Sequence, residues 1–179
     1  MSSSRVLLES PSASFEQPFE MLQACHERVH RMLKLLGRLR EHVARAGCDT
    51  QAQQAARDVM RYFDQAAPQH HLDEELHVFP PLLAGASPEV QGVVRRLQQD
   101  HLDMEARWKD ARVVLGLLAE GRVGRLAPGD EAALEAFASL YAAHVRAEEE
   151  IAYPQARAVL DDRARAAMSE DMMRRRGVK

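Results

Sequence analysis

The residues best suited to chemistry in this chain are histidines and glutamates that recur with one spacing. His70 is followed four positions later by Glu74, and His144 is followed four positions later by Glu148. On a helix, residues four apart lie on the same face, one above the other. Each pair can therefore present an imidazole nitrogen and a carboxylate to a common point.

These pairs belong to a longer internal repeat. The segments 70–80 and 144–154 both read His-x3-Glu-Glu-x3-aromatic-Pro and are 74 positions apart (144 − 70 = 74). Two further histidines, His26 and His101, are 75 positions apart (101 − 26 = 75), each early in another helical stretch. The pattern predicts two copies of one helical hairpin, each with a lone histidine and a His-x3-Glu pair.

Facing hairpins would bring four imidazoles and two carboxylates together inside the protein. Buried carboxylates without partners are costly, and metal ions remove that cost. The ligand mixture favours iron or manganese in a six-coordinate setting over zinc, which prefers a closed tetrahedral set. Two bridging glutamates imply two ions. The predicted metal ligands are His26, His70, Glu74, His101, His144 and Glu148.

Four long helical stretches must position these ligands. Apolar periodicity and stop signals predict helices over about 19–46, 50–83, 87–120 and 130–159, with a short fifth helix reaching residue 176. Ala, Leu, Arg, Glu, Gln and Met dominate the composition, which leaves little to build a sheet. The predicted fold class is all-α, an antiparallel up-down four-helix bundle with a short additional C-terminal helix.

The expected domain organisation is simple. Residues 1–17 are rich in Ser and read as a loose N-terminal tail, 18–160 as the four-helix bundle, and 161–179 as the C-terminal helix and tail. A chain of 179 residues is long enough for one domain with a substantial core.

Charge and cysteine content exclude several classes of function. The net charge of −3 gives no electrostatic basis for binding nucleic acid or an anionic membrane. No apolar run approaches the ~18 residues that span a bilayer, and the first residues lack the apolar stretch of a signal peptide. Two cysteines are too few for a disulfide framework. We therefore expect a cytoplasmic protein with reduced thiols, Cys25 being a buried structural thiol.

The whole pattern resembles the haemerythrin-like, or HHE cation-binding, family. The resemblance rests on His26, His70-x3-Glu74, His101 and His144-x3-Glu148, and it covers roughly residues 19 to 158. It implies two iron ions per chain, oxo- or hydroxo-bridged, with manganese or zinc less favoured. It also implies a centre that binds, senses or reacts with oxygen, nitric oxide or peroxide.

One departure from the oxygen-carrying members bears on function. Those members resemble His-x3-His on the third helix, whereas here Glu105 stands four residues after His101. Counting ligands for two six-coordinate ions leaves about two open positions instead of one, which argues against simple oxygen storage. Glu105 is a lower-priority metal ligand, with a solvent-facing or hydrogen-bonding role as its alternative. Its repeat counterpart His30 (30 + 75 = 105) is a weaker candidate still.

The residues flanking the ligands have their own expected roles. Glu75 and Glu149 are expected to form hydrogen bonds or face solvent, and His71 to lie on the surface or between helices. Phe79 and Tyr153 are expected to fill matching ends of the bundle. Core packing is the favoured role for the other two tyrosines, although either could direct a hydroxyl at the site; these are Tyr62 and Tyr141.

Three functional alternatives remain open at this point. An iron-responsive regulatory module would bind a protein partner, with the Met- and Arg-rich segment 168–176 as its contact surface, although packing as a lid on the bundle is the favoured role of that segment. An iron donor for iron-sulfur cluster repair, and a homodimer, are also compatible with the pattern. A dedicated metabolic enzyme has little support, because the sequence contains no nucleotide loop or nucleophile motif; peroxide or nitric oxide chemistry at the metal centre stays open.

Overall fold

A computed structural model describes residues 17–178. Residues 1–16, which hold nearly all of the predicted N-terminal tail, lie outside the described residues, as does residue 179. The described chain is helical throughout and forms a helical bundle. Its elements are α1 (Pro18–Ala46), α2 (Thr50–Asp73), π1 (Glu74–Val78), α3 (Phe79–Gly85), α4 (Pro88–Ala119), α5 (Pro128–Ala138), α6 (Tyr141–Ala147), π2 (Glu148–Ala152), α7 (Tyr153–Val159) and α8 (Asp162–Arg175).

Local sequence explains where the helices begin and end. Asp49 accepts a hydrogen bond of 2.8 Å from the Ala52 amide and caps α2, and Asp161 caps α8 in the same way. Ser87 caps α4, with Pro88 at its first position. Gly47, with a φ of 85°, ends α1 in a backbone conformation that favours glycine. These caps and stops confirm the boundaries predicted there.

Two predicted helices are not continuous. The second is interrupted by π1 and the fourth by π2, and the fourth also breaks at residues 139–140, between α5 and α6. In π1 the Phe79 amide donates to the Glu74 carbonyl, and in π2 the Tyr153 amide donates to the Glu148 carbonyl. Such π turns are rare and are frequent at functional sites. Each begins at a glutamate of the predicted ligand set.

The core has two apolar clusters with the ligand residues between them. One cluster includes Val29, Ala67, Met104 and Tyr141, and the other includes Leu22, Val78, Leu97 and Ala152. Along each ligand-bearing segment, the predicted ligands fall between a member of one cluster and a member of the other. The polar layer is therefore closed off on both sides by packed side chains.

Helix α8 is fastened to the segment that carries Glu74. The fully buried Asp73 accepts hydrogen bonds from Arg175 and Arg176 near the end of α8, and His77 contacts Asp171 at 2.8 Å. Met168 and Met172 pack into the second apolar cluster. No helix in the described residues has the length and apolarity needed to cross a membrane.

Candidate metal centre

The structure brings the six predicted ligands into one buried layer. None of them has more than 7% of its surface exposed, and both glutamates are fully buried. Such burial of four imidazoles and two carboxylates is rare for residues of these types. The layer is built by α1, α2, π1, α4, α6 and π2, which contribute His26, His70, Glu74, His101, His144 and Glu148 respectively.

The histidines direct the same ring nitrogen inwards. His26 Nε2 lies 3.1 Å from His70 Nε2, and each of the four Nε2 atoms lies within 3.7 Å of a glutamate carboxylate oxygen. One atom each from His26, His70, Glu74 and Glu148 lies within 4.8 Å of all the others. These spacings suit donor atoms that share a small central volume.

Each glutamate faces both halves of the layer. Glu74 places Oε1 3.2 Å from His70 Nε2 and Oε2 3.4 Å from His101 Nε2. Glu148 places Oε2 3.1 Å from His26 Nε2 and Oε1 2.8 Å from His144 Nε2. We call the donors around His26 and His70 the first half-site and those around His101 and His144 the second. Both carboxylates therefore span the two half-sites. Glu74 directs Oε1 to the first half-site and Oε2 to the second, and Glu148 directs Oε2 to the first and Oε1 to the second.

The outward ring nitrogens are held by a second set of carboxylates. Glu149 lies 2.9 Å from Nδ1 of His26, Glu75 lies 2.9 Å from Nδ1 of His101, and Asp100 lies 3.2 Å from Nδ1 of His144. An acceptor on Nδ1 fixes the tautomer that leaves the Nε2 lone pair free to bind a metal. The predicted hydrogen-bonding role of Glu75 and Glu149 is confirmed.

His70 is the exception. Its Nδ1 is buried without a hydrogen-bond partner among the described residues. Cys25 is the repeat counterpart of Asp100 (25 + 75 = 100). Burial lowers the pKa of His70, but the Glu74 carboxylate, with a smaller contribution from the neighbouring Cys25, raises it well above its ordinary value.

Several inward-facing donor atoms are buried with no hydrogen-bond partner. They are Nε2 of His101, Nε2 of His144, Oε2 of Glu74 and both carboxylate oxygens of Glu148. An unpaired buried carboxylate oxygen carries a large desolvation cost. A bound cation would satisfy all of these lone pairs at once, so the residues present fit a metal.

Electrostatics keep the carboxylates ionised despite their burial. Burial and the nearby Glu148 raise the pKa of Glu74, but His70 and His101 outweigh them and lower it to about 2. Burial lowers the pKa of His101, yet the neighbouring carboxylates of Glu148, Glu74 and Glu75 raise it to about 11. The ligand set thus retains the anionic oxygens that hard cations prefer.

Tyr153 enters the site, which corrects its predicted role at the end of the bundle. Its fully buried hydroxyl donates to Glu74 Oε1 and lies 3.2 Å from His26 Nε2. The ring stacks on His26 at 5.5 Å, as its repeat counterpart Phe79 stacks on His101 at 5.5 Å. Burial, together with Glu74 and Glu148, raises the pKa of Tyr153 well above its ordinary value and keeps the phenol protonated.

Glu105 does not join the cluster. Its side chain is 66% exposed and lies 3.0 Å from Lys109. A step of four residues along α4 rotates the side chain by about 40° and moves it one turn away from the ligand layer. The inward position of the next turn belongs to the buried Met104. His30 is also exposed and remote from the ligand layer.

A different histidine approaches the second half-site. The ring of His71 stacks on His101 at 4.0 Å, and one ring nitrogen each from His71, His101 and His144 lies within 4.8 Å of the others. Burial first, then His101, lowers the pKa of His71 to about 3, so its imidazole is neutral. The expectation of an interhelical position was right, but its approach to the ligands was not foreseen.

An apolar groove between α2 and α4 leads to this histidine. Its volume is about 750 Å³, and its walls include Ala67, Leu72 and Trp108. His71 and His101 lie at its inner side, and Glu105 lies at its rim. The groove lining therefore includes one ligand of the second half-site, His101, together with the neighbouring His71.

The other two tyrosines and the missed residues complete the account of the site. Tyr62 donates to the Cys25 carbonyl at 3.2 Å, and Tyr141 is packed against Phe63 and Phe137, so core packing is confirmed for both.

Sequence reasoning missed Asp100. It immediately precedes His101, and the lack of an acid at its repeat counterpart Cys25 hid it.

Comparison with known proteins adds a family and a relative. The model of the Hemerythrin HHE cation binding domain matches residues 17–156. An uncharacterized protein of Haemophilus influenzae is 31% identical over 176 residues, which cover 98% of this chain and 99% of the relative.

Proposed function

The chain belongs to the haemerythrin HHE cation-binding family, and on that premise we propose that the buried cluster holds two iron ions, one in each half-site. The observation that carries this proposal is the placement of the two carboxylates. Each of Glu74 and Glu148 directs one oxygen to the first half-site and the other to the second. A single ion would leave half of these oxygens without a partner.

The proposed activity is binding, sensing or reaction of a small ligand such as oxygen, nitric oxide or peroxide. Two bound irons would supply the redox chemistry and the open coordination positions for such a ligand. The apolar clusters on both sides exclude bulk water from the polar layer, and the groove beside His71 admits a small neutral molecule. Among the described residues, the groove walls contain no Lys or Arg side chain to select a larger anionic substrate.

Tyr153 gives the site a proton at a defined atom. Its phenol oxygen lies between Glu74 Oε1 and His26 Nε2 and stays protonated at neutral pH. From this position it can donate a hydrogen bond to an anionic or partly reduced ligand at the first half-site. The repeat counterpart Phe79 has no such group, so this donation is confined to one half of the centre.

Iron counting on the purified full chain tests the proposal. After expression with added iron, we expect about two iron ions per chain by elemental analysis, with near-ultraviolet oxo-to-iron bands. Glu148→Ala should reduce bound iron to well below one per chain, because it removes a donor from both half-sites. Glu150→Ala, an exposed residue in the same π turn, is the matched control and should keep about two. Wild-type protein that binds no iron would refute the proposal.

The broader setting follows the same proposal. We propose that the bundle has up-down antiparallel topology, that residues 18–160 form the metal-binding unit, and that the protein acts in the cytoplasm. A small ligand, rather than a nucleic acid or a membrane, is the proposed partner.

A further inference from the structure

The two half-sites differ in how their donor atoms are satisfied within the protein. In the second half-site, Nε2 of His101, Nε2 of His144, Oε2 of Glu74 and Oε1 of Glu148 all lack a hydrogen-bond partner among the described residues. In the first half-site, His26 Nε2 and His70 Nε2 bond to each other at 3.1 Å. The first half-site's Glu74 oxygen, Oε1, accepts from Tyr153, and Glu148 Oε2 is its one inward-facing atom that lacks a hydrogen-bond partner among the described residues.

This difference bears directly on cation binding. A cation entering the second half-site takes the place of the 2.8 Å contact between His144 Nε2 and Glu148 Oε1, and it also satisfies buried atoms, such as Glu74 Oε2, that have no hydrogen-bond partner among the described residues. A cation entering the first half-site must displace the proton shared by His26 and His70. It must also compete with the Tyr153 hydroxyl for Glu74 Oε1. The second half-site therefore gains more from binding the same ion.

The residues around the ligands also favour tighter cation binding in the second half-site. Asp100 lies 3.2 Å from Nδ1 of His144, whereas His70 has beside it Cys25, a thiol at the position equivalent to that carboxylate. Loss of such an outer partner typically weakens metal binding by about 10–100-fold. His71 adds a third imidazole near the second half-site, and its repeat counterpart is Val145, which has no donor atom.

We infer that the protein holds a divalent cation firmly in the second half-site and an exchangeable one in the first. This inference rests on the proposed two-ion centre. With its ion released, the first half-site keeps the internal hydrogen bonds of His26, His70, Glu74 and Tyr153 and has one unpaired inward atom, Glu148 Oε2, against four in the second half-site among the described residues. The released ion is then available to a metal acceptor, while the second ion continues to hold the ligand layer together.

Titration of the full chain with Fe²⁺ under anaerobic conditions, against a competing chelator, tests the inference by counting bound ions. The wild type should bind in two steps at least about 10-fold apart in affinity. His144→Ala should abolish the tighter step, and His70→Ala should abolish the weaker one and leave one firmly bound ion. Loss of the same step in both variants, or two equal steps in the wild type, would overturn the inference but leave the two-ion centre intact. Saturation below about two ions per chain in the wild type would overturn both.

A second pair of variants tests the same inference without removing a ligand. Tyr153→Phe copies the residue that already stacks on His101 in the other half, and it should tighten the weaker step by severalfold. Phe79→Tyr places a hydroxyl beside His101 and should weaken the tighter step. Circular dichroism of each metal-free variant checks that the helices are retained. Unchanged steps in both folded variants would show that the tyrosine does not set the difference and would overturn the inference.

Discussion

Each of the two hairpins of this protein supplies two histidines and one glutamate to the ligand layer, but the residues around these ligands differ between the hairpins. Behind the second histidine pair stands Asp100, where the first hairpin has Cys25. Beside the first histidine pair stands Tyr153 of the second hairpin, whereas the residue beside His101 is Phe79 of the first hairpin. The ligand residues are the same in both copies of the repeat, whereas the residues that contact the ligands differ between the copies. A duplicated metal layer can therefore hold two ions under unequal conditions without any change in the ligands themselves.

The contrast extends to the far side of the first ligand helix. Asp73, whose repeat counterpart is Ala147 (73 + 74 = 147), is fully buried and bound by Arg175 and Arg176. The first hairpin is thus fastened to α8 by a buried ion network beside Glu74. The second hairpin has an alanine at the equivalent position.

Breaking that network should have the largest effect on stability. We expect Asp73→Ala to lower the free energy of unfolding by about 3 kcal/mol, because it removes the fully buried carboxylate that both Arg175 and Arg176 contact. Urea unfolding of the metal-free protein measures the change. Asp162→Ala, at a fully exposed position on α8, is the control and should change it by less than about 0.5 kcal/mol. An equal decrease in the free energy of unfolding of the two variants would show that the buried ion network does not add to stability beyond an exposed ion pair.

Exchanging the outer partners should erase much of the difference between the half-sites. Asp100→Cys makes the second hairpin resemble the first, and we expect the tighter iron-binding step to weaken by about 10-fold or more. The chelator-competed titration measures it, with Asp103→Cys on the exposed face of α4 as the control. Cys25→Asp, which copies the second hairpin, should strengthen the weaker step. A tighter step that is indifferent to Asp100→Cys would contradict the role given to this carboxylate.

The fastening of α8 should depend on pH. His77, ahead of burial and Arg175, sets the pKa of Asp171, which is lowered to about 2. A carboxyl with a lowered pKa contributes stability above its unfolded pKa of roughly 4, and this is lost as the pH falls through about 2. We expect the wild type to exceed Asp171→Asn by about 1 kcal/mol at pH 6, with the gap closing below pH 4. Urea unfolding of the metal-free proteins measures the gap; a constant difference would assign the effect to packing.

The smallest effect is expected at the residue that distinguished this chain from oxygen carriers by sequence. Glu105 is exposed and its carboxylate pairs with Lys109, so Glu105→Gln should leave the iron content and both binding steps within about twofold of the wild type. His71→Ala is the matched comparison on the groove and should weaken the tighter step more. A loss of iron in Glu105→Gln would return this glutamate to the ligand set.

The ligand layer was predictable because the same metal-binding residue types recur at equivalent positions of the internal repeat. Four histidines and two glutamates at matched offsets can be identified without coordinates, and the structure brings all six together. The helix caps at Asp49, Ser87 and Asp161 also follow from local residue preferences. Both kinds of signal depend on spacing within one helix or between equivalent helices.

What could not be predicted depends on the backbone between those positions. A π turn has no reliable sequence signature, so the extra residue per turn at Glu74 and Glu148 was invisible. That turn decides where Tyr153 points, and a straight α-helical count placed it at the end of the bundle. The choice between a ligand role and a solvent-facing role for Glu105 could not be made from sequence for a related reason. Helical spacing fixes its separation from His101, but the packing of α4 decides which face is buried.

The paired π turns also constrain how such a chain can change in length. An α turn needs 3.6 residues, so removal of one residue from 74–78 or 148–152 would let the helix close normally and rotate everything after it by about 100°. Tyr153 or Phe79 would then leave its histidine, and the aromatic-Pro ending would face another neighbour. Relatives should accordingly vary freely in the connection between α4 and α5, yet align without gaps across both π turns.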